Sequence, residues 1–472
     1  MNRIVVVGGG ITGLAAAHRI GELNPAMKVT LLEASARLGG TIQTEYRDGF
    51  LLERGPDSFI SEKPQAISLA KRLGLESHLI ETNEAFRRSF ILRNGRLRPV
   101  PEGFQLLAPS RMWPFITSDI FSLTGKVRMA ADLFLPRKSA NGVNDESLAS
   151  FVRRRLGNEA LTRMAQPMVG GIYTADPETL SLRATLPRFL DMEQKHRSLI
   201  LAMLRQGKAQ KTGTSGARYS LFLSFDRGMQ VLVDTLTGIK AEFRLNTRVQ
   251  QLKPDGSRWS ITTNSGEQLQ ADAVCLTVPA YIAASLLSDS GKQLAQKLGA
   301  IKYASTATIN FGYRRSAIKH PLNGFGFVVP YIEKRSLLAC TFSSVKFAGR
   351  APEEHVLLRA FAGGALQPEI FALDEAAMTT KVDADLRELL GISEDPLFVE
   401  VAKWERSMPQ YEVGHLDRVS EIEKLVAKLP GLALAGNSYR GAGIPDCIRN
   451  GEAAAEGLLK DAKPSTHHAD SV

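Results

Sequence analysis

An α/β fold with more than one domain is predicted for this chain on three observations. The chain opens with a strand, a glycine-rich turn, a helical stretch and a second strand within its first forty residues. Apolar strand-like segments recur at 273–279 and 432–435, and the second leads through glycines into another helical stretch. Between these segments the pattern is helical over about 104–205, then rich in β-type runs over about 300–405.

The opening unit is the most informative. Ile4 to Val7 is a β-branched run that reads as a buried strand. Gly8, Gly10 and Gly13 follow it as G-x-G-x-x-G, with Ile11 and Thr12 between the last two, and Leu14 to Ile20 has helical spacing. Gly8 permits the tight turn, Gly10 lets backbone approach a pyrophosphate, and Gly13 lets helix and strand pack closely. The helix N-terminus offers free N–H groups and partial positive charge to phosphate. Val29 to Leu32 forms the second strand and ends at Glu33, about 20 residues past the last glycine, where a carboxylate meets a ribose. Glu33 favours an unphosphorylated ribose over a 2′-phosphate.

Gly49 to Glu53 is a strand running into a turn at Gly55-Pro56-Asp57-Ser58. Ala66 to Leu75 is an amphipathic helix closed by Gly74. Asn94-Gly95 between Phe90–Leu92 and Leu97–Pro101 signals a hairpin. Five arginines crowd there (Arg87, Arg88, Arg93, Arg96 and Arg98), either as exposed strand positions or as ligands for carboxylates. Lys126 to Leu135 carries Val127, Ala130, Ala131 and Phe134 on one face with cations around it, as in a helix lying on a membrane surface or packing on its own domain. Arg153-Arg154-Arg155 reads as a solvated helix face, and residues 207–218 as a polar, glycine-rich loop. The runs Phe243–Val249 and Trp259–Thr263 alternate like paired strands, and Ala273 to Val278 returns the chain to the nucleotide domain. Runs such as Ala307–Phe311 and Val356–Phe361 suggest an antiparallel sheet in a second domain. At 432–448 a strand passes through Gly436, Gly441 and Gly443 into a helix starting at Ile444-Pro445, whose N-terminus would stabilise negative charge on a bound ring.

Composition sets bounds. The 472 residues exceed one simple core. A net charge of +10 permits an anionic partner, be it nucleic acid, lipid or a polycarboxylate. The triple arginine has no interleaved aromatics, so nucleic acid is not expected. Cys275, Cys340 and Cys447 are far apart and form no C-x-x-C, which fits a reducing compartment and argues against a disulfide framework or zinc. The histidines form no ligand cluster, so no metal is expected. The first strand begins at Ile4, leaving no room for a leader, and no apolar run is long enough to span a bilayer.

Glu33-Ala34-Ser35-Ala36-Arg37-Leu38-Gly39-Gly40-Thr41 resembles the E-x-x-x-R-x-G-G segment of the amine-oxidase-like flavoproteins. Ala435 to Ile448, read as A-G-N-x-Y-x-G-x-G-I-P-D-C-I, resembles the signature of the protoporphyrinogen oxidase family, which includes bacterial coproporphyrinogen III oxidases. Gly55–Ser58, Gly171–Pro177, Phe225–Leu232 and Gly324-Phe325-Gly326 also match that family, so the likeness spans nearly the whole chain.

The resemblance implies a Rossmann-like FAD domain of the amine-oxidase and p-hydroxybenzoate-hydroxylase type, with a mixed-sheet substrate domain and a helical domain. It divides the chain into an FAD domain (1–75, 218–295 and 405–462), a substrate domain (76–100 and 296–404), a helical, membrane-associating domain (101–217) and a disordered tail (463–472). It implies FAD held by Gly8, Gly10, Ile11, Thr12, Gly13, Glu33, Ala34, Arg37, Gly39, Gly40, Thr41, Gly55, Pro56, Asp57, Ser58, Val249, Trp404, Gly436, Gly443, Ile444 and Pro445. It implies a porphyrinogen substrate near Gly171, Phe325 and Phe327, with Arg87, Arg88 and Ser89 at its carboxylates. The reaction implied is a six-electron oxidation with O2 as acceptor and H2O2 as by-product. No side-chain acid or base is assigned, because flavin N5 does the chemistry. Plant- and animal-type members often carry Arg where Ser89 stands, and this departure resembles bacterial members that accept the tetracarboxylate coproporphyrinogen III. The expected setting is cytoplasmic, at the inner face of the cell membrane, with a haem-pathway ferrochelatase and self-association as further candidates. A flavin amine oxidase or a carotene desaturase of the same superfamily, or a non-catalytic flavin or tetrapyrrole carrier, are the alternatives.

Overall fold

The computed structural model describes residues 2–138, 145–212 and 221–461. The expected disordered tail at 463–472 lies outside them.

A five-stranded parallel sheet forms the base. Its order is Glu242–Arg244, Lys28–Leu32, Arg3–Val7, Ala273–Leu276 and Leu432–Leu434. The two central strands are apolar on both faces, since helices cover one side and a three-stranded antiparallel layer the other. The helix Ile11–Leu23 and the long C-terminal helix Ile444–Asp461 pack together on one side. Gly451 makes that approach possible: a Cβ there would lie 2.3 Å from the Thr12 carbonyl oxygen.

The second sheet is mixed and seven-stranded, ordered Phe398–Pro409, Tyr303–Arg314, His355–Gly363, Ala339–Phe342, Gly326–Val328, Phe90–Arg93 and Arg96–Pro99. Its pairs are antiparallel except Gly326–Val328 with Phe90–Arg93. Asn94 and Gly95, both at positive φ, make the hairpin turn. Period-two alternation sorts this sheet into two faces. Ile309, Phe311, Leu358, Ala360, Phe327, Phe90 and Leu92 build a core under the helix Glu375–Leu390. The opposite face carries Thr308, Asn310, Arg359, Phe361 and Val328 and looks toward the nucleotide-type sheet and a helical region over 112–212.

Several expectations are corrected here. The run 243–249 is split: Glu242–Arg244 joins the parallel sheet, while the strand from Val249 pairs with Arg258–Thr263, because the chain turns at Asn246 with φ of 53°. The helix Leu199–Thr212 occupies the first half of the expected 207–218 loop, since its apolar side packs on the helical core; the rest lies outside the described residues. Arg155 is fully buried rather than solvated, because Asp132 and Glu193 reach it inside the helical region. A domain boundary at 404/405 would cut the strand Phe398–Pro409, and Leu79–Glu81 pairs with Phe222–Phe225 rather than with the mixed sheet.

Candidate functional site

The two signatures that frame the chain meet. Gly13 is pressed against the turn before it: a Cβ there would sit 2.0 Å from the Gly8 carbonyl oxygen and 2.7 Å from Thr277 Oγ1. Gly10, by contrast, faces space with no atom within 4 Å of an added Cβ. The Ile11–Leu23 helix has no side-chain cap and no acid in its first turn, so its leading N–H groups are left for a ligand. Alongside it starts the Ile444–Asp461 helix, with Ile11 and Ile444 in one core and Asn450 Nδ2 donating to Gly436 O at 3.3 Å. The two helix N-termini therefore open on a shared cradle.

Glu33 closes the near end. Its Oε2 accepts from Gly9 N at 2.6 Å and its Oε1 from Ser35 N at 2.8 Å, with Ala34 exposed between them. Arg37 spends donors on the carbonyls of Leu38, Gly40 and Ile42, so it shapes the Gly39-Gly40-Thr41 turn. Burial lowers the Arg37 pKa, opposed by the Glu33 charge. Gly39 and Gly40 have φ of 104° and 60°, a region that favours glycine. Val249 is buried in the core below, two residues past Thr247, whose N–H reaches Glu33 O at 2.8 Å.

The far end is the loop Gly55–Ser58. Gly55 lies against Thr41, whose carbonyl oxygen would be 1.7 Å from a Cβ. The cradle thus continues from Gly10 past Gly40 and Thr41 to Gly55. Side chains of the mixed sheet hold this loop and the two residues before it by their carbonyls. Asn310 Nδ2 donates to Glu53 O at 3.2 Å, Trp404 Nε1 to Arg54 O at 2.9 Å, and Arg359 Nη2 to Gly55 O. From the nucleotide side, Ser224 Oγ donates to Asp57 O at 2.7 Å. Every one of these donors is buried or half-buried, where an unmade bond is expensive.

Charged groups pack behind the loop. Lys346 Nζ lies 3.0 Å from Asp57 Oδ2 and 3.1 Å from Ser58 Oγ, and Arg359 Nη1 is 3.8 Å from Asp57 Oδ2. Burial alone would raise the Asp57 carboxyl, yet Lys346 and Arg359 hold it well below the usual carboxylate range. Glu53 lies nearby at 3% exposure, accepting from Met229 N at 2.7 Å and from Thr44 Oγ1 at 2.9 Å. Burial pushes its carboxyl up to about 7 despite those donors.

The end of the helix Gln166–Tyr173 packs against the mixed-sheet strand Gly326–Val328. A Cβ on Gly171 would meet only Val328, at 3.9 Å. Gly171 and Ile172 are exposed, while Phe325 and Val328 are half-buried. Phe327 is a correction. It points to the other face of its strand and packs on Phe342, so strand alternation puts Val328 beside Gly171 instead. Arg87 and Arg88 are exposed and make no ion pair among the described residues, and Arg88 O accepts from Phe325 N at 2.8 Å. Ser89 is half-buried, its carbonyl accepting from Val100 N at 2.9 Å. Gly443 is exposed, with Ile444 and Pro445 buried after it.

Sequence reading missed Thr277, Asn310, Lys346 and Arg359. Arg359 and Asn310 leave a signal: Arg359 is the lone polar residue in Val356–Phe361, and Asn310 shares Ala307–Phe311 only with Thr308 as a polar residue. Lys346 leaves none.

Residues 11–459 match the family described as flavin containing amine oxidoreductase. The chain is 38% identical to a coproporphyrinogen III oxidase of Bacillus subtilis over 469 residues, covering 97% of each chain. It is 31% identical to a chloroplastic protoporphyrinogen oxidase of Nicotiana tabacum, covering 96% of this chain and 84% of that one. A crystal structure from Exiguobacterium sp. 255-15 superposes with a TM-score of 0.86 at 32% identity, over 97% of this chain and 99% of that chain. A flavin on a dinucleotide cradle is FAD, and residues here fit it: the uncapped N-terminus of the Ile11–Leu23 helix, open space at Gly10 and the Glu33 carboxylate beside Gly9. The chain is accordingly an FAD-dependent oxidoreductase of the flavin containing amine oxidoreductase family, within the group of the coproporphyrinogen III and protoporphyrinogen oxidases.

Proposed function

We propose that this enzyme oxidises a porphyrinogen to the porphyrin in haem biosynthesis, removing six electrons with O2 as acceptor and releasing H2O2. The observation that carries this reading is the near-full-length likeness to coproporphyrinogen III oxidases. The bound flavin supplies the two-electron acceptor. What the chain contributes is position: Asn310, Arg359 and Trp404 fix the Gly55–Ser58 loop, and with it the substrate-facing side of the cradle. In this reading Gly8, Gly10–Gly13, Glu33, Ala34, Arg37, Gly39–Thr41, Gly55–Ser58, Val249, Trp404, Gly436 and Gly443–Pro445 hold FAD. Arg87 and Arg88, free of acid partners among the described residues, receive substrate carboxylates beside Phe325. Ser89 stands where plant- and animal-type members often carry Arg, a departure that favours coproporphyrinogen III as the substrate.

The same reading places the enzyme peripherally on a membrane. Trp113, Ile116, Leu123, Val127 and Phe134 are 52% or more exposed, and Lys126 and Arg137 lie among them. Such a patch with cations beside it suits an anionic bilayer surface. Among the described residues no helix is long and apolar enough to cross a membrane.

The test is an aerobic assay with both porphyrinogens, following porphyrin fluorescence and peroxide. A higher kcat/KM for coproporphyrinogen III is expected, with a raised KM on Arg88→Ala. A clearly higher value for protoporphyrinogen IX reverses the substrate choice. Absence of porphyrin above the spontaneous rate, with flavin bound, overturns the function.

A further inference from the structure

The charges behind the Gly55–Ser58 loop do not balance. Lys346 and Arg359 share the single carboxylate of Asp57. All three are sequestered, with side-chain exposures of 12%, 5% and 16%. Arg350, 2% exposed, adds a third cation whose donors go to Ser224 Oγ and the carbonyls of Phe225 and Asp226. Glu53 is the other buried carboxylate in the region, and its own bonds run to Met229 and Thr44 rather than to a cation, while the exposed Asp226 carboxylate near Arg350 pairs with His78 and Arg227. Arg359 also retains a buried Nε–H with no partner among the described residues. A desolvated excess of positive charge is costly unless an anion shares the site. The group expected in front of this loop becomes such an anion in one of its two redox states. Taking up two electrons and one proton converts a neutral oxidised flavin into a reduced ring with one negative charge.

We propose that the Lys346–Asp57–Arg359 cluster sets the reduction potential of the flavin, its buried positive charge favouring the reduced, anionic ring. Lys346 is a positioning residue in this scheme. It acts through Asp57, Ser58 and the field behind the loop, not by contact with substrate. The inference rests on the placement of the flavin against Gly55–Ser58 proposed above. Two-electron oxidation of substrate is thereby assisted, since each pair of electrons is delivered to a ring whose charge the protein already compensates.

The experiment equilibrates the purified holoenzyme with a reference redox dye under anaerobic reduction and reads the flavin and dye spectra. Lys346→Met removes the charge while keeping much of the side chain. It is expected to shift the equilibrium about tenfold toward oxidised flavin, equivalent to about 30 mV for a two-electron couple. Lys346→Arg is expected to stay near the wild-type value. A flavin-loaded Lys346→Met with an unchanged equilibrium overturns the proposal. So does a Lys346→Arg that shifts as far as Lys346→Met, because packing rather than charge would then be at work. If Lys346→Met is purified without flavin, Lys346→Gln, which keeps a donor for Asp57 and Ser58, carries the same expectation and the same refutation. A wrong placement of the flavin shows itself differently: Gly55→Ala, which should expel the cofactor, would then retain it.

Discussion

Glu53 makes the stability of this fold depend on pH in a direction opposite to most carboxylates. It is 3% exposed and its pKa rises from 4.5 to about 7, chiefly through burial. Between those two values the folded chain holds a proton that the unfolded chain has released, so stability falls as pH rises. The slope is about 1.4 kcal/mol per pH unit, which accumulates to about 3 kcal/mol by the time Glu53 ionises. Glu53→Gln removes the titration and keeps the shape. The glutamine oxygen can still accept from Met229 N, and its amide can meet the Thr44 hydroxyl, which turns to accept. Near pH 5 the variant should match or fall slightly below wild type in urea-unfolding stability of the holoenzyme. Above pH 7.5 it should exceed wild type by about 2–3 kcal/mol. Parallel stability-against-pH curves for the two proteins would refute the reasoning, since Glu53 would then ionise freely in the fold.

Two further expectations concern the cradle and the surface. Gly13→Ala places a methyl 2.0 Å from a backbone oxygen that cannot yield, so the purified protein should lose flavin absorbance; Gly21→Ala, in the same helix with nothing within 4 Å, should keep it and gain up to about 1 kcal/mol of stability. Leu123→Asp with Phe134→Asp should abolish co-sedimentation with anionic vesicles while leaving turnover of a soluble substrate unchanged; equal binding of both proteins would remove the patch from the membrane reading.

Local chemistry made the nucleotide unit legible in the chain itself. Glycine at 8, 10 and 13, a β-branched run before them and an acid after the second strand are short-range requirements of a tight turn, a close helix and a ribose, so each leaves its mark within forty residues. The Asn94-Gly95 turn and the helix at Ile444 were readable for the same reason. Other features depend on partners hundreds of residues away. Arg155 looked like a surface charge until Asp132 and Glu193 closed over it. Phe327 and Val328 are neighbours in sequence, and only the side of the sheet that meets the helical region decides which one faces Gly171. Lys346 and Arg359 reach a loop some 290–300 residues earlier. Backbone conformation and burial tendency are properties of a short stretch, and so the amino-acid order determined the strand-turn-helix unit at the start of the chain and the glycine-led helix near its end. Which charges lie behind the Gly55–Ser58 loop, and which face of the mixed sheet meets the helical region, are properties of contacts between distant segments, and those were decided only when the two sheets packed together.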